Sequence, residues 1–461
     1  MSDQLTALDG TFLELEDADP TAHMHIGGVL VFERPLHGPN PTLEDLRAQI
    51  SSRLHLLPRY RQRLAHPDAG RLRWQRWETD PAFDIARHVR HAALPHPGGW
   101  DELLEWSGEQ FSHRLDRNHP LWEIVLLEGL AEGRWAMFTK THHCLVDGVG
   151  SVQIAHLLLD PSPTGGTQAP APAGPPPVEP ARDHSGPSLP GLGVAREAIH
   201  AALHPRETAQ RAWALAELLV RDELQAAPDT SLNCAIGPRR GLSAVHLELD
   251  EAQQIRAALG GTVNDVVLSA VTAGLRRVFL TRGEEPPGAG LRAMVPVNLR
   301  ASDGSSTGNR ISSLFVELPV AEPDPLERHR IVRETTRTMK QGREPLGADT
   351  LLHVTGAVPP VVHQYLAGSL FAKRLFNVTV TNVPGPSQPL YAFGSRMAFV
   401  CPYVPLAAEH AVGVAIISYD GSLVFGVCVD PDAVPDADVL ADGIAEGLRE
   451  LQRAAHAPGV R

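Results

Sequence analysis

The stretch Trp135-Ala-Met-Phe-Thr-Lys-Thr-His142-His143-Cys144-Leu145-Val146-Asp147-Gly148 decides how this chain reads. Trp135 to Thr141 is a compact strand-like run, and Val149 to Leu159 carries apolar residues at helical spacing (Val152, Ala155, Leu158, Leu159). Two histidines therefore stand where a strand ends and a turn leads into a helix. Asp147 and Gly148 follow, the aspartate able to support the turn by pairing with a distant cation, the glycine able to permit it. A zinc site on the histidine pair is a poor reading, because adjacent strand residues point to opposite faces and no third ligand lies nearby.

Working outward, strands and helices mix on both sides. His25 to Phe32 reads as a buried strand and Leu43 to Leu57 as a helix. Downstream, Thr262 to Leu280 is a strong helix, and Asp436 to Ala454 a closing amphipathic one. Strands are expected at Leu291–Val297, Ile311–Leu318, Asn377–Val383, Val412–Ser418 and Leu423–Val429. The last two are separated by Tyr419-Asp420-Gly421-Ser422, whose Asp-Gly is a hairpin signal. From Asp160 to about Pro190 the chain is crowded with Pro, Gly, Ala and Ser, a composition that favours an extended linker. At 461 residues two domains are expected. The division is 1–160, a linker at 161–192 and 193–461, with α/β layers in both halves and a helical stretch from Val194 to Leu224 opening the second.

Composition excludes several classes. The hydrophobic fraction of 43% and charged fraction of 21% are those of a soluble globular protein. Against 54 acidic residues stand 41 Lys and Arg, a net charge of −13, which argues against nucleic acid as a partner. Cys144, Cys234, Cys401 and Cys428 form no Cys-x-x-Cys pair, so a reducing compartment is expected, with no disulfide framework. Met1 to Asp17 lacks the basic start and apolar centre of a signal peptide. No apolar run reaches about 18 residues, so the expected setting is the cytoplasm, with any contact at the inner membrane or lipid droplets peripheral. Arg53, Arg59, Arg61, Arg63, Arg71, Arg73 and Arg76, interleaved with Leu56, Leu57, Trp74 and Trp77, either meet anionic headgroups or form a solvated face with local ion pairs.

The histidine pair carries the chemistry. Forming an ester needs a base near pKa 6.5 to take the proton from an alcohol as it attacks a thioester carbonyl, and imidazole suits that task. An oxyanion donor should come from elsewhere. Along Asn377-Val-Thr-Val-Thr-Asn-Val383, Thr381 and Asn382 are both candidates on opposite faces, and the choice between them stays open. Gly304-Ser305-Ser306-Thr307-Gly308 fits a serine-hydrolase pattern as text, but it lies in a polar loop leading into a strand, the wrong context for that nucleophile.

His-His-x-x-x-Asp-Gly in this setting resembles the bacterial wax ester synthase/acyl-CoA:diacylglycerol acyltransferase family. The likeness covers nearly the whole chain. It runs from Leu8-Asp9-Gly10-Thr11-Phe12 and Met24-His25-Ile26-Gly27-Gly28 through Pro120-Leu121-Trp122-Glu123. It continues in Thr230-Ser-Leu-Asn233, Ile236-Gly-Pro-Arg-Arg240, Thr262-Val-Asn-Asp265, Val295-Pro-Val-Asn-Leu-Arg300, Gly308-Asn-Arg310 and Thr381-Asn-Val-Pro-Gly-Pro386. The resemblance implies two chloramphenicol-acetyltransferase-like domains with the active-site channel between them. It implies His143 as general base, His142 assisting, Gly148 in the turn, and Asp147 as structural support with Arg300 as its partner. Asn264 and Asp265 match the family's Asn-Asp motif, with helix capping the alternative; Pro120 and Trp122 are expected to be fold-determining. The implied substrates are acyl-CoA and a lipid alcohol, giving triacylglycerol from diacylglycerol and wax esters from long-chain alcohols, with no metal or redox cofactor. Two rivals remain: a donor borne by a carrier protein and passed to a polyketide or glycolipid alcohol, and a non-catalytic lipid-binding protein.

Overall fold

The computed structural model describes residues 4–66, 75–146, 148–165, 227–298, 311–340 and 375–456. The helical stretch expected at Val194 to Leu224, most of the 161–192 linker and Ser306 lie outside them. Two six-stranded sheets organise the unit formed by Met1–Thr167, Ala226–Leu299 and Ile311–Arg461.

Beside a small sheet of β2 (Gln62–Leu64) and β3 (Trp77–Thr79), the first of these is built on β1 (His25–Phe32), β4 (Val89–Ala93), β5 (Trp122–Glu128) and β6 (Trp135–His142). Two later strands, β11 (Tyr391–Ala392) and β12 (Ser395–Tyr403), complete it in the order β11-β12-β1-β6-β5-β4. β12 lies antiparallel against β1, pairing Val29 with Cys401. Sheet membership therefore does not follow the division at 161–192: a strand from the C-terminal half lies inside the N-terminal sheet. A linker's composition marks where the chain is solvated, but it carries no information about which strand edge a distant segment will meet.

β1 is squeezed between two neighbours, and this explains the Gly27-Gly28 pair. A Cβ on Gly27 would stand 1.9 Å from the Thr139 carbonyl oxygen, and one on Gly28 2.4 Å from that of Cys401. Only glycine lets the flanking backbones come this close. β6 is apolar on both faces because both are covered. Trp135 and Met137 pack with Phe32, Leu126 and residues of α2 (Leu43–Arg53), while Ala136 and Phe138 pack with Val29, Val125 and residues of α4 (Trp100–Phe111).

The second sheet contains β7 (Gly241–Glu248), β8 (Leu291–Asn298), β9 (Ile311–Leu318), β10 (Val378–Pro384), β13 (Val412–Tyr419) and β14 (Ser422–Val429), in the order β7-β14-β13-β10-β8-β9. The expected hairpin joins β13 to β14: Tyr419 pairs with Ser422, and Asp420 and Gly421 take φ of 45° and 83°. Two consecutive positive φ values make a two-residue turn whose twist matches the strands. Among the described residues the remaining α-helices are α1 (Ala7–Ala18), α3 (Ile85–His88), α5 (Gly148–Leu158), α6 (Leu249–Leu259), α7 (Val263–Thr281), α8 (Pro325–Lys340) and α9 (Ala437–Ala455). Among the described residues no single helix is long and apolar enough to cross a membrane.

α7 starts on a capping box. Thr262 accepts from the Asp265 N–H at 3.3 Å, and Asp265 accepts from the Thr262 N–H at 2.7 Å. The other carboxylate oxygen of Asp265 accepts from the Thr336 hydroxyl of α8 at 2.6 Å. Asp265→Ala should lose the acceptor for the Thr262 N–H and the Thr336 bond, leaving that hydroxyl only the Arg333 carbonyl at 3.1 Å, together about 1–3 kcal/mol. Urea midpoints should show this loss, with Asp265→Asn, which keeps an acceptor, costing less.

Candidate active site

β6 delivers the histidines, and its neighbours hold them. The backbone N–H of His142 donates to the Leu121 carbonyl at 3.0 Å, and that of His143 to the Met24 carbonyl at 2.8 Å. The turn closes when the Leu145 N–H reaches the His142 carbonyl at 2.9 Å. Inside it, the Cys144 N–H donates to Nδ1 of His142 at 3.1 Å. The Cys144 thiol is buried, which pushes its pKa well up and keeps it protonated at neutral pH; it is no thiolate nucleophile.

The Pro120-Leu121-Trp122 segment lies directly alongside. Its Leu121 carbonyl is the one that holds His142, and Trp122 pairs with Thr141 across the strands. Trp122 is 1% exposed, donates its indole N–H to the Tyr60 carbonyl at 2.8 Å, and stacks on His88 at 4.6 Å between ring centroids. One residue on, Glu123 takes the buried Lys140 ammonium at 2.6 Å.

A second layer comes from α1, to which the sequence reading assigned no role. Phe12 and Glu16 are four residues apart and share one helix face. Phe12 stacks on the half-buried His143 ring at 3.9 Å and 13°. Glu16, 2% exposed, lies 3.5 Å from Nε2 of His142, 3.7 Å from Nε2 of His25, 3.0 Å from Arg114 and 2.5 Å from Arg117. Burial raises its pKa, but His142, Arg114 and Arg117 outweigh burial and hold the carboxyl well below the usual range. The one available signal for Glu16 was its helical spacing from Phe12. The arginines that mark it as buried lie about a hundred residues on.

The histidines behind the turn are neutral. Burial lowers His142 despite Glu16, lowers His25 strongly, and together with Arg240 pushes His23 down to about 4. Each therefore takes up protons more readily in the unfolded chain, so stability is full above the ordinary value of 6.5 and falls as pH drops through it. Glu16 adds a further loss only below its ordinary 4.5. The melting temperature should fall between pH 7.5 and pH 5, and replacing His23 by Gln should flatten that fall.

Among the other expected site residues, Asn264 and Asn382 meet: the Asn382 Nδ2 donates to the Asn264 Oδ1 at 3.2 Å. Thr381 is the preceding residue of β10, half-buried and paired with Ala415. α5, which opens at Gly148 after the histidine turn, packs against β10. Asp147 and Arg300 lie outside the described residues, as do Arg71, Arg73 and Trp74. Of the other arginines, Arg53 pairs with Asp160, Arg63 with Glu78 at 2.9 Å, and Arg59 and Arg61 lie over Trp77 and Phe83.

A sheet that accepts a crossover strand from the far half, with paired histidines ending its central strand, defines the chloramphenicol-acetyltransferase-like class. The first condensation domain of the CDA synthetase shares that fold, with a TM-score of 0.61 at 16% identity over 99% of this chain and 97% of the other. The chain belongs to the wax ester synthase/diacylglycerol acyltransferase family: residues 5–267 match its catalytic domain and 307–452 its C-terminal domain. A Mycobacterium tuberculosis protein named "Probable diacyglycerol O-acyltransferase tgs1" is 34% identical over 97% of this chain and 95% of its own. The wax ester synthase/diacylglycerol acyltransferase of Marinobacter aquaeolei VT8 superposes with a TM-score of 0.73 at 27% identity, covering 99% of this chain and 100% of the other.

Proposed function

We propose that this chain transfers a fatty acyl group from acyl-CoA to the hydroxyl of a lipid alcohol, with diacylglycerol the principal acceptor and long-chain alcohols a second one. The observation that carries the reading is the His142–His143 turn, anchored on Leu121 and Met24 and braced by Phe12. His143 takes the proton of the acceptor hydroxyl as its oxygen attacks the thioester carbonyl carbon. The tetrahedral oxyanion collapses, the carbon–sulfur bond breaks, and the CoA thiolate leaves with the proton that His143 held. The thioester supplies the driving force, so the sequence of steps consumes no cofactor.

Asn264, Asn382 and Thr381 are the donors considered for the oxyanion. The hydrogen bond that Asn264 accepts from Asn382 turns its own NH2 away from that partner and frees it to donate elsewhere. Asp147 keeps its expected role as support for the turn with Arg300. Arg61, Arg76 and Leu56, all exposed, are the side chains proposed to meet a lipid surface.

The test offers the purified chain a long-chain acyl group either on CoA or on a carrier protein, with diacylglycerol and hexadecanol as separate acceptors. Ester formation from acyl-CoA, faster with diacylglycerol, is the expected result. Transfer only from the carrier, or onto neither acceptor, would overturn the reading.

A further inference from the structure

Glu16 is a buried carboxylate that the acyl-transfer steps do not use. Its oxygens face His142, His25, Arg114 and Arg117, which come from β6, β1 and the segment after α4; Arg117 also pairs with Asp17 at 2.6 Å. Two guanidinium groups keep the carboxylate ionised in a place where a lone charge would be costly. The consequence is felt on the His142 ring. Its Nδ1 accepts the Cys144 N–H at 3.1 Å, and a ring nitrogen that accepts carries no proton. The proton of the neutral ring is then on Nε2, the nitrogen that faces Glu16.

We propose that Glu16 is a positioning residue: its carboxylate holds His142 as the Nε2–H tautomer, which keeps the Nδ1 lone pair for Cys144 and so fixes the turn that carries His143. With the proton on Nδ1 instead, the ring would point a donor at the Cys144 N–H and that hydrogen bond would be lost. Phe12, one helical turn before Glu16, stacks on the His143 ring, so a single helix face braces both histidines. The inference rests on His143 being the base, but its first test does not depend on activity.

The full chain labelled with 15N-histidine, with the His142 signals assigned by their loss in His142→Gln, reads the tautomer directly. The expected result is Nε2–H from about pH 6 to pH 8, replaced by a mixture in Glu16→Ala. An Nδ1–H tautomer in the unaltered chain overturns the proposal, whatever the variants do. In assays, folded Glu16→Ala should lose turnover by about a hundredfold, as a misplaced reacting group does, with KM for acyl-CoA little changed. Glu16→Gln, which keeps an oxygen facing Nε2–H, should recover about tenfold of that loss. Unchanged turnover in folded Glu16→Ala, or no recovery in Glu16→Gln, would contradict it. Should His143→Ala stay active while His142 shows the Nε2–H tautomer, the base assignment falls and the account of the turn stands.

Discussion

Replacing His143 with alanine should lower turnover by about 10²–10⁴-fold, the usual contribution of a positioned general base. The fold should survive, because the ring is half-buried and its stack on Phe12 is a pair worth about 0.5–1.5 kcal/mol. The turn itself is closed by backbone groups and by the His142 ring, none of which the substitution removes. His142→Ala makes the contrast: His142 is 1% exposed, accepts the Cys144 N–H and faces Glu16. Its loss leaves a buried donor unpaired and should lower both turnover and melting temperature. Parallel assays and melts of the two variants separate a group that reacts from one that also holds the turn. Full activity in His143→Ala would remove it as the base.

The second large effect is on stability. Trp122→Ala should cost about 3–5 kcal/mol, the range for deleting a buried aromatic ring. The indole fills the space between His88 and Tyr60, and its N–H satisfies the Tyr60 carbonyl. Trp122→Phe keeps most of the ring packing but leaves that carbonyl without its donor, an expected cost of about 1–3 kcal/mol. Urea midpoints measure both. Specific activity per folded molecule should be near normal in Trp122→Phe, since Trp122 acts on the site through Leu121, the residue that leads into its strand. A large loss of activity in a stably folded Trp122→Phe would instead place the indole among the groups that touch substrate.

The local pattern of the chain was legible where periodicity and turn chemistry agree. β1 and β9 have the bounds read from sequence, the Asp420-Gly421 turn is the expected hairpin, and Thr262 caps the helix it was expected to open. The histidine turn was legible too, because strand, polar turn and helix follow one another within a short span. Pairings between distant segments were not. β12 was not among the strands expected from sequence, and nothing in Ser395 to Tyr403 says that its neighbour will be β1. Glu16 was missed for the same reason: its meaning comes from His25, His142, Arg114 and Arg117, which are near it only after folding. Asn264 and Asn382 were singled out separately, and the fold joins them.

The central claim is that a histidine-held site passes an acyl group intact from CoA to a lipid hydroxyl. The most direct measurement supplies acyl-labelled acyl-CoA and diacylglycerol to the purified chain, and follows labelled triacylglycerol and free CoA thiol together. Equal amounts of the two, with little labelled free fatty acid, is the predicted result. Thiol release matched by free fatty acid instead of triacylglycerol would mean that water is the acceptor, and would contradict the account.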